Sequence, residues 1–208
     1  MIDEGVVKYS LEFIPSESVE VQYMTQIEQV RADLFALGLI GAYEESGIGY
    51  GNISQKFDGS DFEFVITGTQ TGELAHLEPK HYSKITDIDF KNFTTYATGA
   101  TKPSSEAITH ATIYNISPKI KAVIHIHNEK LWRYMLANEY LSTNDVPYGS
   151  PEMVEDIESI YQVRDALQNP LFVMRGHFEG IVVFGESLRG AKEELYGLLG
   201  EYLGSDYL

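Results

Sequence analysis

The sequence predicts an α/β domain in which a central, largely antiparallel sheet is flanked by helices. Short apolar runs with strand-like alternation are mixed with longer runs of helical period, and several strand candidates form hairpin-like pairs joined by short polar turns. The chain has 208 residues, of which 43% are hydrophobic. That length and composition can bury one sizeable core, so we expect a single domain over residues 1–208.

The N-terminal half supplies one helix and most of the strands. Residues 6–13 alternate polar and apolar side chains, which predicts a first strand, and a helix ending near Gly38 follows. Four apolar residues recur along that helix at helical spacing: Ile27, Val30, Leu34 and Leu37. Further strands are predicted over residues 53–57 and 62–66, with a strand pair over 85–95 and a short helix over 79–82.

The C-terminal half contains the remaining helices and strands. The predicted helices cover residues 105–116, 130–137, 151–167 and 188–203. The predicted strands cover residues 123–127, 171–174 and 180–184. Tyr196, Leu199 and Leu203 recur along the last helix, and we expect this stripe to pack against the core.

The charge of the chain excludes several classes of partner. The formal net charge is -16, so nucleic acid and anionic membrane surfaces are not expected partners. There are no cysteines, so a metal site would have to use nitrogen and oxygen ligands. The acidic start lacks a signal segment and no apolar run is long enough to span a membrane, which predicts a cytoplasmic protein.

Two histidines alternate with isoleucine at the end of an apolar run over residues 122–127. Side chains two residues apart on a strand point to the same face, so His125 and His127 would aim both imidazoles at one point. His177 follows another apolar run, and Glu106 supplies a carboxylate upstream. Three imidazoles and a carboxylate suit zinc or another divalent metal, although strand histidines can also be core residues. His110, one helical turn after Glu106, is either an extra ligand or a buried supporting residue.

Three loops have the composition of an anion site. Gly51-Asn52 can bring main-chain N–H groups close to a ligand, and Thr67-Gly68-Thr69 adds hydroxyls after a strand. Ser104-Ser105 lies at a predicted helix N-terminus, where unpaired N–H groups and the helix dipole favour an anion, and Lys102 is nearby. A serine before a helix can also be a simple cap, and glycine loops are often only turns.

Five short segments, in this order, resemble the class II aldolase/adducin family over residues 27–203. They are Gly51-Asn52-Ile53-Ser54, Ile66-Thr67-Gly68-Thr69, Lys102-Pro103-Ser104-Ser105-Glu106, Val123-Ile124-His125-Ile126-His127 and Gly176-His177. The resemblance implies a three-layer α/β/α fold with an antiparallel sheet and a homotetramer. It implies that the metal ligands are Glu106, His125, His127 and His177. It implies that the substrate phosphate is held by Asn52, Thr67, Gly68, Ser104 and Ser105.

The same resemblance implies a metal-dependent aldolase that acts on a small phosphorylated ketose through a metal-stabilised enediolate. Zinc or another divalent ion would be the cofactor, and Glu106 would also be the general acid and base. Two alternatives stay open: a pentulose-phosphate epimerase or dehydratase of the same family, and a non-catalytic binding or assembly module like the head of adducins.

The chain departs from the family pattern in three places. Family members often have His-His-Gly where residues 176–180 read Gly-His-Phe-Glu-Gly, so Glu179 could replace or supplement His177. The predicted strand over residues 6–13 looks like an addition to the family's fold. Aldolases of the family use a tyrosine as proton donor, and four tyrosines are candidates here without matching by position: Tyr140, Tyr148, Tyr202 and Tyr207.

Overall fold

The computed structural model of the chain describes residues 6–19, 21–57, 59–60 and 62–205. Its strands are β1 (Ser10–Pro15), β2 (Gly41–Ala42), β3 (Gly49–Tyr50), β4 (Asn52–Lys56), β5 (Phe64–Thr67), β6 (Tyr82–Asp89), β7 (Thr94–Gly99), β8 (Ala122–His127), β9 (Leu171–Val173) and β10 (Gly180–Gly185). Its helices are α1 (Val21–Ala36), α2 (Ala107–Ile116), α3 (Glu129–Ala137), α4 (Pro151–Gln162) and α5 (Leu188–Leu203), with short 3-10 turns at Pro79–His81 and Ala166–Gln168.

Eight strands form the central sheet, in the order β1-β7-β6-β5-β4-β8-β10-β9, and β2 and β3 form a small separate hairpin. Every neighbouring pair in the large sheet is antiparallel except β1 and β7, which run parallel. The predicted central, largely antiparallel sheet is therefore confirmed. The strand predicted over residues 6–13 begins later, at Ser10, and adds to one edge of the sheet.

Helices cover both faces of the sheet and create two cores. The apolar sides of α1, α3 and α5 pack on one face, where Ile27, Ile124 and Leu195 meet. Helices α2 and α4 pack on the other face, where Ile108 and Ile157 share a core with strand residues such as Phe64. The arrangement has three layers, helix, sheet and helix, as the sequence predicts.

Helix ends and helix rotation account for the differences from the predicted elements. α1 ends at Ala36, so Leu37, predicted to face inward, lies beyond the helix and is 55% exposed. The helix predicted over residues 151–167 ends at Gln162, and its last residues form a 3-10 turn. In α5 the buried face carries Leu195 and Leu198, so the predicted packing stripe is wrong for Tyr196 and Leu203, which are exposed. A helix presents only one such stripe, and the neighbouring apolar stripe turns outward.

Two leucines of α5 test this assignment of its faces. Leu198 is buried beneath the sheet, whereas Leu203 is 63% exposed. Replacing Leu198 with alanine should lower the free energy of unfolding by about 2–5 kcal/mol, because it leaves a cavity in the core. Leu203→Ala should change it by less than about 0.5 kcal/mol. Urea unfolding followed by circular dichroism measures both, and equal losses would contradict the assignment.

Candidate metal centre

Strand β8 carries both histidines on one face of the sheet. Ile124 and Ile126 point into the core under α1, α3 and α5, so the alternation sends His125 and His127 to the face where α2 lies. Both imidazoles are buried, and their Nε2 atoms lie 3.0 Å apart. Strands β4 and β10 hydrogen-bond to β8 on its two sides, so the direction of both rings is set by the sheet.

Glu106 and His177 join this cluster from two other segments. Glu106 immediately precedes α2, and its Oε2 lies 2.9 Å from His125 Nε2 while its Oε1 lies 3.3 Å from His177 Nδ1. His177 lies in the turn between β9 and β10. The three histidines are buried, and each has a ring nitrogen within 4.8 Å of those of the other two. The structure thus brings together the four residues predicted as ligands.

Hydrogen bonds behind the rings show which nitrogens carry protons. His125 Nδ1 lies 3.1 Å from the carbonyl oxygen of Ile181, which can only accept, so this nitrogen donates. His127 Nδ1 lies 2.9 Å from the hydroxyl of Tyr43, and that hydroxyl donates to Glu179 Oε2 at 3.1 Å. The Tyr43 oxygen therefore accepts from His127 Nδ1, and the Nε2 atoms of both histidines are left facing the cluster.

The atoms that meet in the cluster are all acceptors by nature. His125 Nε2 lies 3.0 Å from His127 Nε2 and 2.9 Å from Glu106 Oε2. Lone pairs at these distances repel each other unless a positive charge lies between them. One proton could bridge only one pair of these acceptors, whereas a divalent cation would bind all of them together. Imidazole nitrogens and a carboxylate oxygen are suitable zinc ligands, so the donor set fits a divalent metal.

The pKa values of the cluster suit metal binding. Burial, reinforced by His177 and His125, lowers the pKa of His127 well below its ordinary value, so this ring is neutral and able to act as a ligand. Burial alone would raise the pKa of Glu106, but the neighbouring His125 and His177 outweigh it and hold that pKa well below its usual range. Asn52 Nδ2 donates to Glu106 Oε2 at 2.9 Å, so the charged carboxylate is also fixed in direction.

His110 lies behind the cluster and is not one of its members. It is buried, its Nδ1 lies 2.7 Å from the hydroxyl of Ser54, and that hydroxyl contacts Tyr114 at 2.8 Å. Burial lowers its pKa to about 3, with Glu106 opposing and His125 reinforcing the shift. His110 is therefore a neutral residue packed under the site, which corresponds to the buried supporting role considered for it in the sequence.

A small cavity lies beside Glu106 and contains most of the predicted phosphate-binding residues. Its wall is formed by Gly49, Gly51, Asn52, Gly68, Thr69, Gln70, Thr71, Gly72, Ser104 and Ser105. Four of the five residues predicted to hold a phosphate are among them. The adjacency follows from the sheet, because Asn52 pairs with His125 and Gly68 bridges to Pro103, just before Ser104.

Thr67 is the predicted phosphate residue that is not part of this wall. Its hydroxyl accepts from the N–H of Ile53 at 3.2 Å, and its carbonyl accepts from the N–H of Ser104 at 3.2 Å. It therefore holds neighbouring segments in place. Lys102 also lies outside the wall, although its carbonyl accepts from Thr69 N. Sequence reasoning missed Gly49, Gln70, Thr71 and Gly72; the Gly-Thr-Gln-Thr-Gly run over residues 68–72 was the available signal.

Glu179 lies behind His127 and does not replace His177. Its Oε2 is 3.9 Å from His127 Nδ1, the nitrogen that faces away from the cluster, and it accepts from Tyr43. Its main chain adopts φ 67°, a left-handed conformation that costs energy in a residue with a side chain. Within the described residues, the third histidine of the cluster is therefore His177. Glu179 and Tyr43 instead form hydrogen bonds behind His127.

The predicted tyrosine candidates make other contacts. The ring of Tyr148 stacks on His177 with 4.5 Å between centroids, but its hydroxyl hydrogen-bonds to the main chain of Val6. The hydroxyl of Tyr140 donates to Glu201 at 2.5 Å, and Tyr202 is buried in the core that α5 shares with the sheet. Tyr207 lies outside the described residues. Tyr148 is thus the candidate that the structure brings to the cluster, through its ring.

The comparisons with known proteins agree with this fold. A model of the Class II Aldolase and Adducin N-terminal domain family matches residues 39–199. The chain therefore belongs to the class II aldolase and adducin family.

Two relatives within the curated proteins are named 3-oxo-tetronate 4-phosphate decarboxylase. The one from Haemophilus influenzae is 25% identical over 169 residues, which are 70% of this chain and 71% of the relative. The one from Escherichia coli is 29% identical over 154 residues, which are 62% of this chain and 65% of the relative.

Solved structures show the same fold. YgbL from Escherichia coli superposes with a TM-score of 0.63 at 23% identity, covering 90% of this chain and 92% of YgbL. A sugar-phosphate aldolase from Thermotoga maritima gives a TM-score of 0.67 at 19% identity, covering 89% of this chain and 97% of that structure. L-fuculose-1-phosphate aldolase from Thermus thermophilus gives a TM-score of 0.58 at 20% identity, covering 88% of this chain and 90% of that structure. At these identities the likeness establishes the fold. Among the residues described, no helix is both long and apolar enough to cross a membrane.

Proposed function

We propose that this protein is a metal-dependent lyase that breaks the bond between the carbons α and β to the ketone of a small phosphorylated substrate. The observation that carries the proposal is the buried cluster of three histidines and Glu106 beside a cavity walled by main chain, hydroxyls and amides. A cluster of acceptors that needs a cation would have no purpose in a scaffold, so the adducin-like binding module is the weaker alternative.

In this proposal His125, His127 and His177 hold the metal, with zinc as the favoured ion, and Glu106 is a ligand that also exchanges protons. A bound divalent cation would supply Lewis acidity for the ketone oxygen and the neighbouring hydroxyl oxygen. Glu106 then removes a proton from, or returns one to, the carbon next to the ketone. Its charge and its hydrogen bond from Asn52 keep it available as a base with a fixed direction.

The phosphate group of the substrate binds in the cavity. Ser104 and Ser105 lie just before α2 and line the cavity, so their hydroxyls and the dipole of α2 favour an anion there. Asn52 and Gly68 line the same cavity, and Thr67 contributes indirectly by holding the segments on either side. The cavity adjoins Glu106 through Asn52, so a short substrate can reach both places.

Two lyase reactions fit this site: aldol cleavage of a ketose phosphate, as the sequence predicts, and decarboxylation of a phosphorylated 3-oxo sugar acid. The names of the two curated relatives support decarboxylation. Loss of CO₂ also needs no group to exchange a proton with an aldehyde oxygen, and the hydroxyls of Tyr148 and Tyr140 bond to Val6 and Glu201. The electron pair of the broken bond stays on the substrate, and one proton added to the same carbon of 3-oxo-tetronate 4-phosphate leaves dihydroxyacetone phosphate.

We also propose a homotetramer, the assembly that the family resemblance implies. Phe178 lies between His177 and Glu179 and is 51% exposed, and its ring centroid lies 5.5 Å from that of Trp132. These rings form an apolar surface beside the site. Multi-angle light scattering at micromolar concentration should give a mass near four chains. A mass of one chain would contradict the assembly while leaving the metal centre untouched.

The metal is the first test of the proposal. Purified protein should contain about one divalent ion per chain, measured by plasma mass spectrometry after removal of free metal. His125→Ala and His127→Ala should each reduce that content to a small fraction, because each removes one converging nitrogen. His76→Ala is the matched control, since the side chain of His76 is exposed. Full occupancy in a His125→Ala/His127→Ala double variant would refute the site.

The second test separates the roles of Glu106. Both lyase reactions share proton transfer at the carbon next to the ketone of dihydroxyacetone phosphate, which proton exchange in deuterated water reports by NMR. Metal-loaded Glu106→Gln should exchange at least ~100-fold more slowly than the wild type, because an amide cannot act as the base. Undiminished exchange in the loaded variant would exclude the acid–base role. Release of CO₂ from 3-oxo-tetronate 4-phosphate, against release of aldehyde from ketose phosphates, then distinguishes decarboxylase from aldolase.

A further inference from the structure

Arg31 is a buried cation whose hydrogen bonds end on main-chain carbonyls. It lies in α1, is 1% exposed, and donates to the carbonyl oxygens of Thr71 at 3.0 Å and Leu74 at 2.6 Å. Longer contacts of 3.4 Å reach the carbonyls of Gly72 and Ala75. One guanidinium therefore gathers four carbonyls from the segment 71–75.

In the described part of the chain, no carboxylate accepts a hydrogen bond from the guanidinium of Arg31. Glu28, one turn earlier in α1, lies close enough to interact with the charge of Arg31. Its two carboxylate oxygens, however, accept from the N–H of Leu77 at 2.9 Å and the hydroxyl of Tyr82 at 3.0 Å. Burying a charge without a hydrogen-bonded carboxylate costs free energy of folding. An apolar residue would therefore be expected at this position of the helix unless the cation contributes to function.

The segment that Arg31 holds forms part of the wall of the anion cavity. Thr71 and Gly72 line the cavity, and Arg31 does not, so this main chain lies between the guanidinium and the cavity. In a trans peptide the C=O and N–H point in opposite directions. A carbonyl of Thr71 directed at Arg31 thus turns the N–H of Gly72 away from Arg31, and the carbonyl of Gly72 does the same for the N–H of residue 73.

The charge of Arg31 also provides a positive charge next to a cavity whose described wall residues have no charged side chain. None of the wall residues in the described structure carries a charged side chain, and the chain has a formal net charge of -16. A cation buried just behind the wall acts in a medium of low dielectric, where it raises the potential in the cavity more than an exposed lysine would. It does so without touching the ligand.

We infer that Arg31 is a positioning residue for anion binding, and that it shapes the 71–75 segment so that the N–H groups of Gly72 and residue 73 receive the phosphate of the substrate. The inference rests on the proposed function, because it takes the cavity to be the phosphate site. A lysine would not substitute for it. The planar guanidinium presents five donors in a fixed fork that reaches several carbonyls at once, whereas an ammonium is a compact charge on a flexible chain.

The experiment compares zinc-loaded wild type, Arg31→Lys and Arg31→Met with inorganic phosphate as the probe, by calorimetry and ³¹P NMR. We expect Arg31→Lys to weaken phosphate binding about 10-fold or more, and Arg31→Met at least as much, because hydrogen bonds from a charged group are lost. Zinc content should stay at the wild-type value, since the histidines are held by other strands. Arg133→Met is the control: Arg133 is also a helix arginine, but it is exposed and paired with Glu129.

The outcomes separate this inference from the proposed function. Wild-type phosphate affinity in Arg31→Lys would overturn the role of Arg31 alone. No phosphate binding by the zinc-loaded wild type would overturn the phosphate site and this inference with it. Equal losses of zinc and phosphate would show a general structural defect and would also overturn it.

A measurement on the wild type covers the case in which the Arg31 variants do not fold. Hydrogen–deuterium exchange with and without phosphate should show slower exchange of the amides over residues 69–73. Unchanged exchange in that loop, in protein that binds phosphate, would refute the inference.

Discussion

The two-residue alternation of β8 is the constraint on which the rest of the site depends. Ile124 and Ile126 enter the core under α1, α3 and α5, and because neighbouring side chains point to opposite faces, His125 and His127 must face α2. A slip of one residue in the register would move both imidazoles into an apolar core. The apolar residues that stabilise the sheet therefore also fix the direction of the two imidazoles, and β4 and β10 prevent the slip by pairing with β8 on both sides.

The second constraint is electrostatic. If the substrate is phosphorylated, as proposed, a chain with a net charge of -16 must attract it at a place where the field of the protein is locally positive. The structure has no charged side chain among the described residues of the cavity wall; it has the N-terminal end of α2, a glycine-rich loop and the buried Arg31 behind them. Main-chain N–H groups do not move when a ligand arrives, so an anion site of this kind costs little reorganisation on binding.

The sequence makes no prediction of the strand order, whereas it identifies four residues that the structure brings together in the cluster. Periods of two and 3.6 residues locate most strands and helices, and the His-x-His pattern with the order of five motifs brings Glu106, His125, His127 and His177 to one place. Thr67 lies in the predicted loop, but its hydroxyl accepts a hydrogen bond from the N–H of Ile53. Strand pairing determines this orientation, and no local sequence pattern predicts it. Tyr43 and Arg31 could not be found from the sequence, because their partners lie 84 and about 40 residues away in the chain.

The positions of the tyrosines bear on the choice between the two lyase reactions. Aldol cleavage needs proton transfer at two places, the carbon next to the ketone and the oxygen of the departing aldehyde. Decarboxylation needs it only at the carbon, because CO₂ leaves without a proton. In the proposed function Glu106 serves the carbon, whereas the hydroxyl of Tyr148 is turned to Val6 and that of Tyr140 to Glu201. Aldol cleavage would need a second group to exchange the proton of the aldehyde oxygen. The hydroxyl of Tyr43 contacts His127 and Glu179 on the side of His127 that faces away from the cluster, and a neighbouring subunit is another source of such a group.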